Sequence, residues 1–239
     1  MRQIALRAAV LLACVVAMNC GSSSPTSPDA PGDGSGGGGS AGGATGQTAI
    51  YSDSTFDDNN WETELQLFGA GGTASAGHLN FNGQAGAGYR QITITVNSAE
   101  GNGTAAQVAM FSFHRGDVYF PSSDGAIYTV SYSEDSILQS GGGNGQYSAP
   151  ALRQNGKLYT LVPGAGAFPT PEAAWTSHSL SGLTQNSFRT IASDSDHPNF
   201  STSGSRIEVG FMRQHSAAAG NPGGTRTGGI DNWRITLHR

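Results

Sequence analysis

The stretch "GGIDNWRITLHR", residues 228–239, decides the fold. Ile235 and Leu237 alternate with polar residues from Trp233 onward, and a period of two is the mark of a strand with one buried face. By that parity Asp231 shares the face of Trp233, Ile235 and Leu237, so a carboxylate is expected on the core side of the strand. Outward from this segment the same alternation recurs. "QITITV" sets Ile92, Ile94 and Val96 against Thr93 and Thr95, and "RIEVGF" does the same with Ile207, Val209 and Phe211. Further strands are read in "ETELQLF" from Glu62, "AQVAMFSFH" from Ala106, "GAIYTVSYS" from Gly125 and "KLYTLV" from Lys157. Glycine-rich breakers divide them, among them "GAGG" at 69, "NG" at 82 and 155, "GGGNG" at 141 and "NPGG" at 221. Short strands without intervening helices predict an all-β fold of two packed antiparallel sheets, a jelly-roll sandwich of ten to fourteen strands over residues 48–239. Only "TPEAAW" from Thr170 and "LTQNSF" from Leu183 invite a helical reading, each of two turns at most.

Composition supports this reading. The chain has 36 glycines in 239 residues, and charged residues make up 12% of it. That is about half the roughly 25% of ordinary globular proteins. The first twenty residues carry Arg2 and Arg7, then an eleven-residue apolar run from Ala8 to Met18, which reads as an export signal. Eleven residues fall well short of the roughly 20 that span a bilayer. Residues 21–47 contain no aromatic residue and no Val, Ile, Leu or Met, and so nothing to offset the entropy of ordering. They read as a disordered Gly/Ser/Pro tether with a reach of roughly 30 Å.

The two cysteines, Cys14 and Cys20, lie in or beside the signal, so residues 48–239 form no internal disulfide. Removing the signal takes away Arg2 and Arg7 and leaves ten basic against seventeen acidic residues, a net charge of −7. That surface argues against nucleic acid as a partner and against attraction to anionic lipid.

Cys20, followed by Gly21 and serines, resembles the lipidation cysteine of bacterial lipoproteins. The resemblance implies cleavage before Cys20 and membrane attachment through the lipid anchor alone. Asn19 and Met18 depart from that pattern, and ordinary cleavage after Ala17 is the competing reading. "TFDDNNWETELQL" and "GGIDNWRITL" together resemble the β-sandwich modules of the concanavalin A-like and carbohydrate-binding groups. There the opening Phe-x-x-x-x-Trp, here Phe56 and Trp61, packs beside the final strand. The resemblance covers residues 48–239 and implies that the two ends of the domain pair. Asp231 would then approach Asp57 or Asp58, and a structural calcium between them is one consequence. The other reading of Asp231 is an acceptor for backbone N–H groups in the turn before the strand.

Three function classes follow from this resemblance. The first is an exported, non-catalytic module that binds glycan or another surface component. Tyr147 after "GGGNGQ" and Trp175 in a Pro-rich connection would stack on the ligand, and Asn144 would orient it. Trp61 and Trp233 are read as core. The second is a glycanase or lyase with acids gathered from separate strands, because the Glu-x-Asp-x-x-Glu spacing of sandwich glycanases is absent. The third is a structural or adhesive envelope protein. The six histidines show no zinc spacing, no G-x-S-x-G elbow occurs, and the glycine clusters lack the Lys-Ser/Thr of a phosphate loop. "RGD" at Arg115, Gly116 and Asp117 is read as part of a tight turn.

Overall fold

The computed structural model describes residues 46–80, 83, 88–101, 103–141, 145–161, 166–170 and 174–239. The chain divides into two units, Met1–Gly43 and Ala44–Arg239, and all described residues lie in the second. Cys20 and Asn144 lie outside the described residues, as do positions 171–173 of the expected "TPEAAW" helix.

Among the described residues, twelve strands form two antiparallel six-stranded sheets. In chain order they are β1 (Thr48–Asp53), β2 (Trp61–Gly69), β3 (Gly72–Leu79), β4 (Tyr89–Val96), β5 (Ala106–Tyr119), β6 (Thr129–Ser140), β7 (Tyr147–Gln154), β8 (Lys157–Thr160), β9 (Phe168–Pro169), β10 (Thr176–Leu183), β11 (Ile207–Ala217) and β12 (Gly224–His238). The first sheet runs β10-β6-β12-β4-β3, with β1 also on β12, and the second runs β2-β5-β11-β7-β8, with β9 on β7. Helical structure among the described residues is confined to single short segments. These are α1 (Pro121–Asp124) and 3₁₀ turns at Asp58–Asn60 and Gln185–Ser187, the last closed by a Thr184/Ser187 capping box where "LTQNSF" suggested a helix.

The two ends of the domain pair as expected. β1 lies antiparallel to β12 from Thr48↔His238 to Asp53↔Trp233. Phe56 stacks on Trp61 at 5.4 Å, and Trp61 meets Trp233 edge-on at 5.1 Å and Phe211 at 5.1 Å, so the aromatic residues of both termini join the two sheets in one core. One edge of β12 is covered by β6. The other is shared between β4, which ends at Ile230↔Arg90, and β1, which begins at Asp53↔Trp233.

Asp231 and Asn232 occupy the break between β4 and β1, and here the structure corrects the parity argument. Asp231 opposes Asp135 while Arg234 opposes Ser133, so three steps along β12 match two along β6. This is a β-bulge, and Asn232 adopts the left-handed conformation within it, with φ 49°. The extra residue shifts the alternation. Ile230 before the bulge and Trp233, Ile235 and Leu237 after it all belong to the core. Asp231, opposite Asp135, therefore points to the outward face of the first sheet.

A second polar feature crosses the sandwich interior. Arg213 and Glu134, both fully buried, pair at 2.9 Å between the sheets. Ser148 donates to Glu134 at 2.8 Å, Tyr132 donates to the same carboxylate, and Arg213 reaches the carbonyl of Gly229 at 3.3 Å. Burial, then the neighbouring Glu134 charge, push the Tyr132 phenol well above its ordinary range. The "RGD" segment makes no chain reversal. β5 continues through it, with an irregularity opposite Glu208–Gly210 and Gly116 at φ 86°.

Candidate functional site

The outward face of the first sheet carries one partly exposed tryptophan. Trp175 lies just before β10 and meets Tyr89 edge-on, with ring centroids 5.3 Å apart. The rings lie over Gly229, where a Cβ would come within 2.9 Å of both Trp175 Cη2 and Tyr89 Cδ2. The glycine of the "GGIDNW" segment is thus what lets an indole rest on the sheet. Two amides back the Tyr89 hydroxyl: Gln139 donates to it, and Gln91 donates to the Gln139 carbonyl at 2.8 Å. Asp231 follows Gly229 by two positions and is 1% exposed, with its Oδ1 accepting the Asn232 backbone N–H at 2.7 Å. Its partner Asp135, 7% exposed, accepts from the Asn232 amide at 2.6 Å and from the Ser177 hydroxyl. An aromatic surface, two amides, a hydroxyl and two carboxylates therefore converge on one face.

Tyr147 is elsewhere. It opposes Gln214 in the second sheet, on the face away from Ser148 and Arg213, and is partly exposed on the other side of the sandwich. The structure does not bring Tyr147 and Trp175 together. Tyr89 was missed because it sits in "YRQITITV", where an aromatic at the head of a strand reads as core, and it is indeed 2% exposed.

Nor do Asp57, Asp58 and Asp231 form a cation cage. Asp57 caps the 3₁₀ turn, accepting from Asn59 N at 2.9 Å and Asn59 Nδ2 at 3.0 Å. Asp58 pairs with Arg90 Nη1 at 2.6 Å and accepts the His78 backbone N–H at 3.2 Å. Asp231 faces Asp135. Arg90, whose backbone is registered with Ile230, already supplies a positive charge beside Asp58. Among the described residues no three His, Cys, Asp or Glu side chains are grouped to hold a metal ion.

Two hollows adjoin through Ser54 and Thr55, and the second reaches the break in β12. One, of about 650 Å³, is lined by Asp57, Asp58, Asn59, His78, Asn80 and Gly88, with Ser54 and Thr55. The other, of about 560 Å³, shares Ser54 and Thr55 and adds Asn60, His114, Asn232 and Arg234 among its walls. At its base His114 lies between Asp117, at 2.8 Å, and Asp53, at 3.6 Å. The Asp117 carboxylate, then Asp53, push the His114 imidazole up to about 9. Burial alone would raise the Asp53 carboxyl. The ion pair with His114 and the N–H groups of Phe56 and Thr55 outweigh that and hold it well below the usual carboxylate range.

Acids also gather on the outward face of the second sheet. Arg153 bridges Glu62 at 2.8 Å and Glu208, and Arg206 also donates to Glu208. These residues line adjoining hollows of about 470 and 240 Å³. Glycoside hydrolysis needs one carboxyl raised to serve as an acid. The Arg153 guanidinium instead holds Glu62 below its ordinary value.

The sequence matches no family model and no curated protein. Among solved structures, the CBM22-1 xylan-binding domain of Paenibacillus barcinonensis Xyn10C is similar at 11% identity and a TM-score of 0.35, covering 80% of this chain and 95% of that one. The cellulose-induced protein Cip1 is similar at 12% identity and a TM-score of 0.38, covering 77% and 96%. An exo-β-agarase is similar at 14% identity and a TM-score of 0.39, covering 77% of this chain and 25% of that one.

Proposed function

We propose that the chain is a non-catalytic, extracytoplasmic carbohydrate-binding protein whose ligand stacks on Trp175. The observation that carries this reading is the partly exposed indole packed against Tyr89 over Gly229, with the amides of Gln139 and Gln91 behind the Tyr89 hydroxyl. An aromatic face accepts the apolar C–H face of a pyranose, and amides such as the exposed Gln139 orient its hydroxyls. The arginine-clamped glutamates of the second sheet favour binding over hydrolysis. In this reading Cys20 carries lipid, and residues 21–47 hold the sandwich clear of the membrane.

Affinity electrophoresis through a panel of polysaccharides, including xylan, xyloglucan, agarose and soluble cellulose derivatives, tests it. Wild type should be retarded by at least one polymer, and Trp175→Ala should lose at least about tenfold in affinity. Tyr147→Ala, on the opposite face, should behave as wild type. Equal retention of Trp175→Ala and wild type would overturn the assignment.

A further inference from the structure

The Trp175 platform stands next to the two adjoining hollows. Gly88 lines the larger hollow and immediately precedes Tyr89, the ring on which Trp175 rests. A Cβ at Gly88 would lie 2.3 Å from His78 Cε1, so only glycine allows the imidazole to form that wall, and Asn80 fixes His78 Nε2 at 2.6 Å. Asn232 lines the second hollow while its amide donates to Asp135 of the platform. The Ser54–Thr55 bend belongs to both hollows. Each volume falls within the range of about 300–1,000 Å³ typical of ligand sites. Both walls are rich in side chains that exchange hydrogen bonds with hydroxyls: Asn59, Asn80, Asp57 and His78 in one, Asn60, Asn232 and Arg234 in the other.

We propose that platform and hollows form one track that engages an extended neutral polysaccharide along several consecutive sugar rings, not a single terminal sugar. The inference rests on the Trp175 reading and adds to it the class of ligand. The position of the track explains its polarity. β4 and β1 leave β12 unpaired on that side at Asp231 and Asn232, and the chain between β1 and β2 lies beside that break. Ser54, Thr55 and Asn60 of that segment share a hollow with Asn232, so short polar side chains stand where a sheet would otherwise present a closed edge. Asp58 is fixed by Arg90 and by the His78 N–H, so the larger hollow is ordered before any ligand arrives.

Isothermal titration with xylo- and cello-oligosaccharides of two to six units, chosen to match the retained polymer, tests the track. Affinity should rise with length. Asn80→Ala, at an exposed position, should weaken the longest oligomer about fivefold, the value of one hydrogen bond, and leave the shortest unchanged, while Asn232→Gly, which keeps the left-handed backbone, should weaken the longest more than the shortest. Affinity independent of length, or equal losses for short and long oligomers, would overturn the track while leaving Trp175 intact. Trp175→Ala without effect, or no polymer retained by wild type, would overturn the track together with the platform.

Discussion

Replacing His114 by glutamine should remove most of the pH dependence of stability between pH 6.5 and 9. His114 is protonated in the folded protein up to about pH 9, against 6.5 for an unconstrained imidazole, because Asp117 and Asp53 flank it. A raised value means that folding favours the charged form. The stabilisation is complete below pH 6.5 and is lost as the pH rises through 9. At about 1.4 kcal/mol per pH unit the gap sets a ceiling of about 3 kcal/mol. Asp117 is 25% exposed and the ring itself 16%, so solvent screens part of the pair and a loss of about 1–2 kcal/mol is expected. Asp53 contributes through the same pair and is not added to this figure. Its lowered carboxyl acts at the opposite end, where stability is lost as the pH falls below about 4. His215, lowered to about 4 first by burial and then by Arg226, destabilises the fold only as the pH falls from 6.5, outside the window in question. Urea unfolding followed by tryptophan fluorescence is the assay, since Trp61 meets the His114 ring edge-on at 5.1 Å. The quantity to read is the difference between wild type and His114→Gln at pH 6 and pH 9.5. If the two stability curves stay parallel across that interval, the imidazolium does not bridge the two carboxylates and the reasoning fails.

Gly229→Ala should displace Trp175 and Tyr89, costing about 1–3 kcal/mol in unfolding free energy and weakening polysaccharide retention together with it. Arg213→Met leaves Glu134 charged and buried, and should cost about 3–5 kcal/mol by chemical denaturation, with Arg213→Met/Glu134→Gln recovering part of that loss. Chelator should leave the melting temperature unchanged, because Arg90 already neutralises Asp58; a drop of several degrees on adding EDTA, reversed by calcium, would contradict this.

The sandwich was legible because its core strands alternate cleanly. β4, the first half of β11 and the second half of β12 carry Ile, Val, Leu or an aromatic at every second position, and these residues lie in the core. Strands without that signal were not legible. β3, "GTASAGHL", and β10, "TSHSLSGL", are edge strands of small and polar residues, exposed enough to need no apolar face. β7 was hidden by Pro150, an unusual residue inside a sheet. It lies just beyond the last β8 pair, Ala151↔Thr160, where its carbonyl accepts the Thr160 hydroxyl at 2.9 Å. The site was half legible. Trp175 could be picked out by its setting, but strand parity cannot foresee a bulge, and one extra residue at Asn232 sends Asp231 to the opposite face. The Asp53–His114–Asp117 cluster carries no spacing signature, because Asp53 is far from the other two in sequence and joins them only when β1 closes on β12.

The place of β12 also orders assembly in time. It is the last strand of the twelve, yet it is the interior partner of β6, β4 and β1 in its sheet. A growing chain that stops short of Gly224 has three strands with no centre to dock on, so half the sandwich must wait until the ribosome has passed that point.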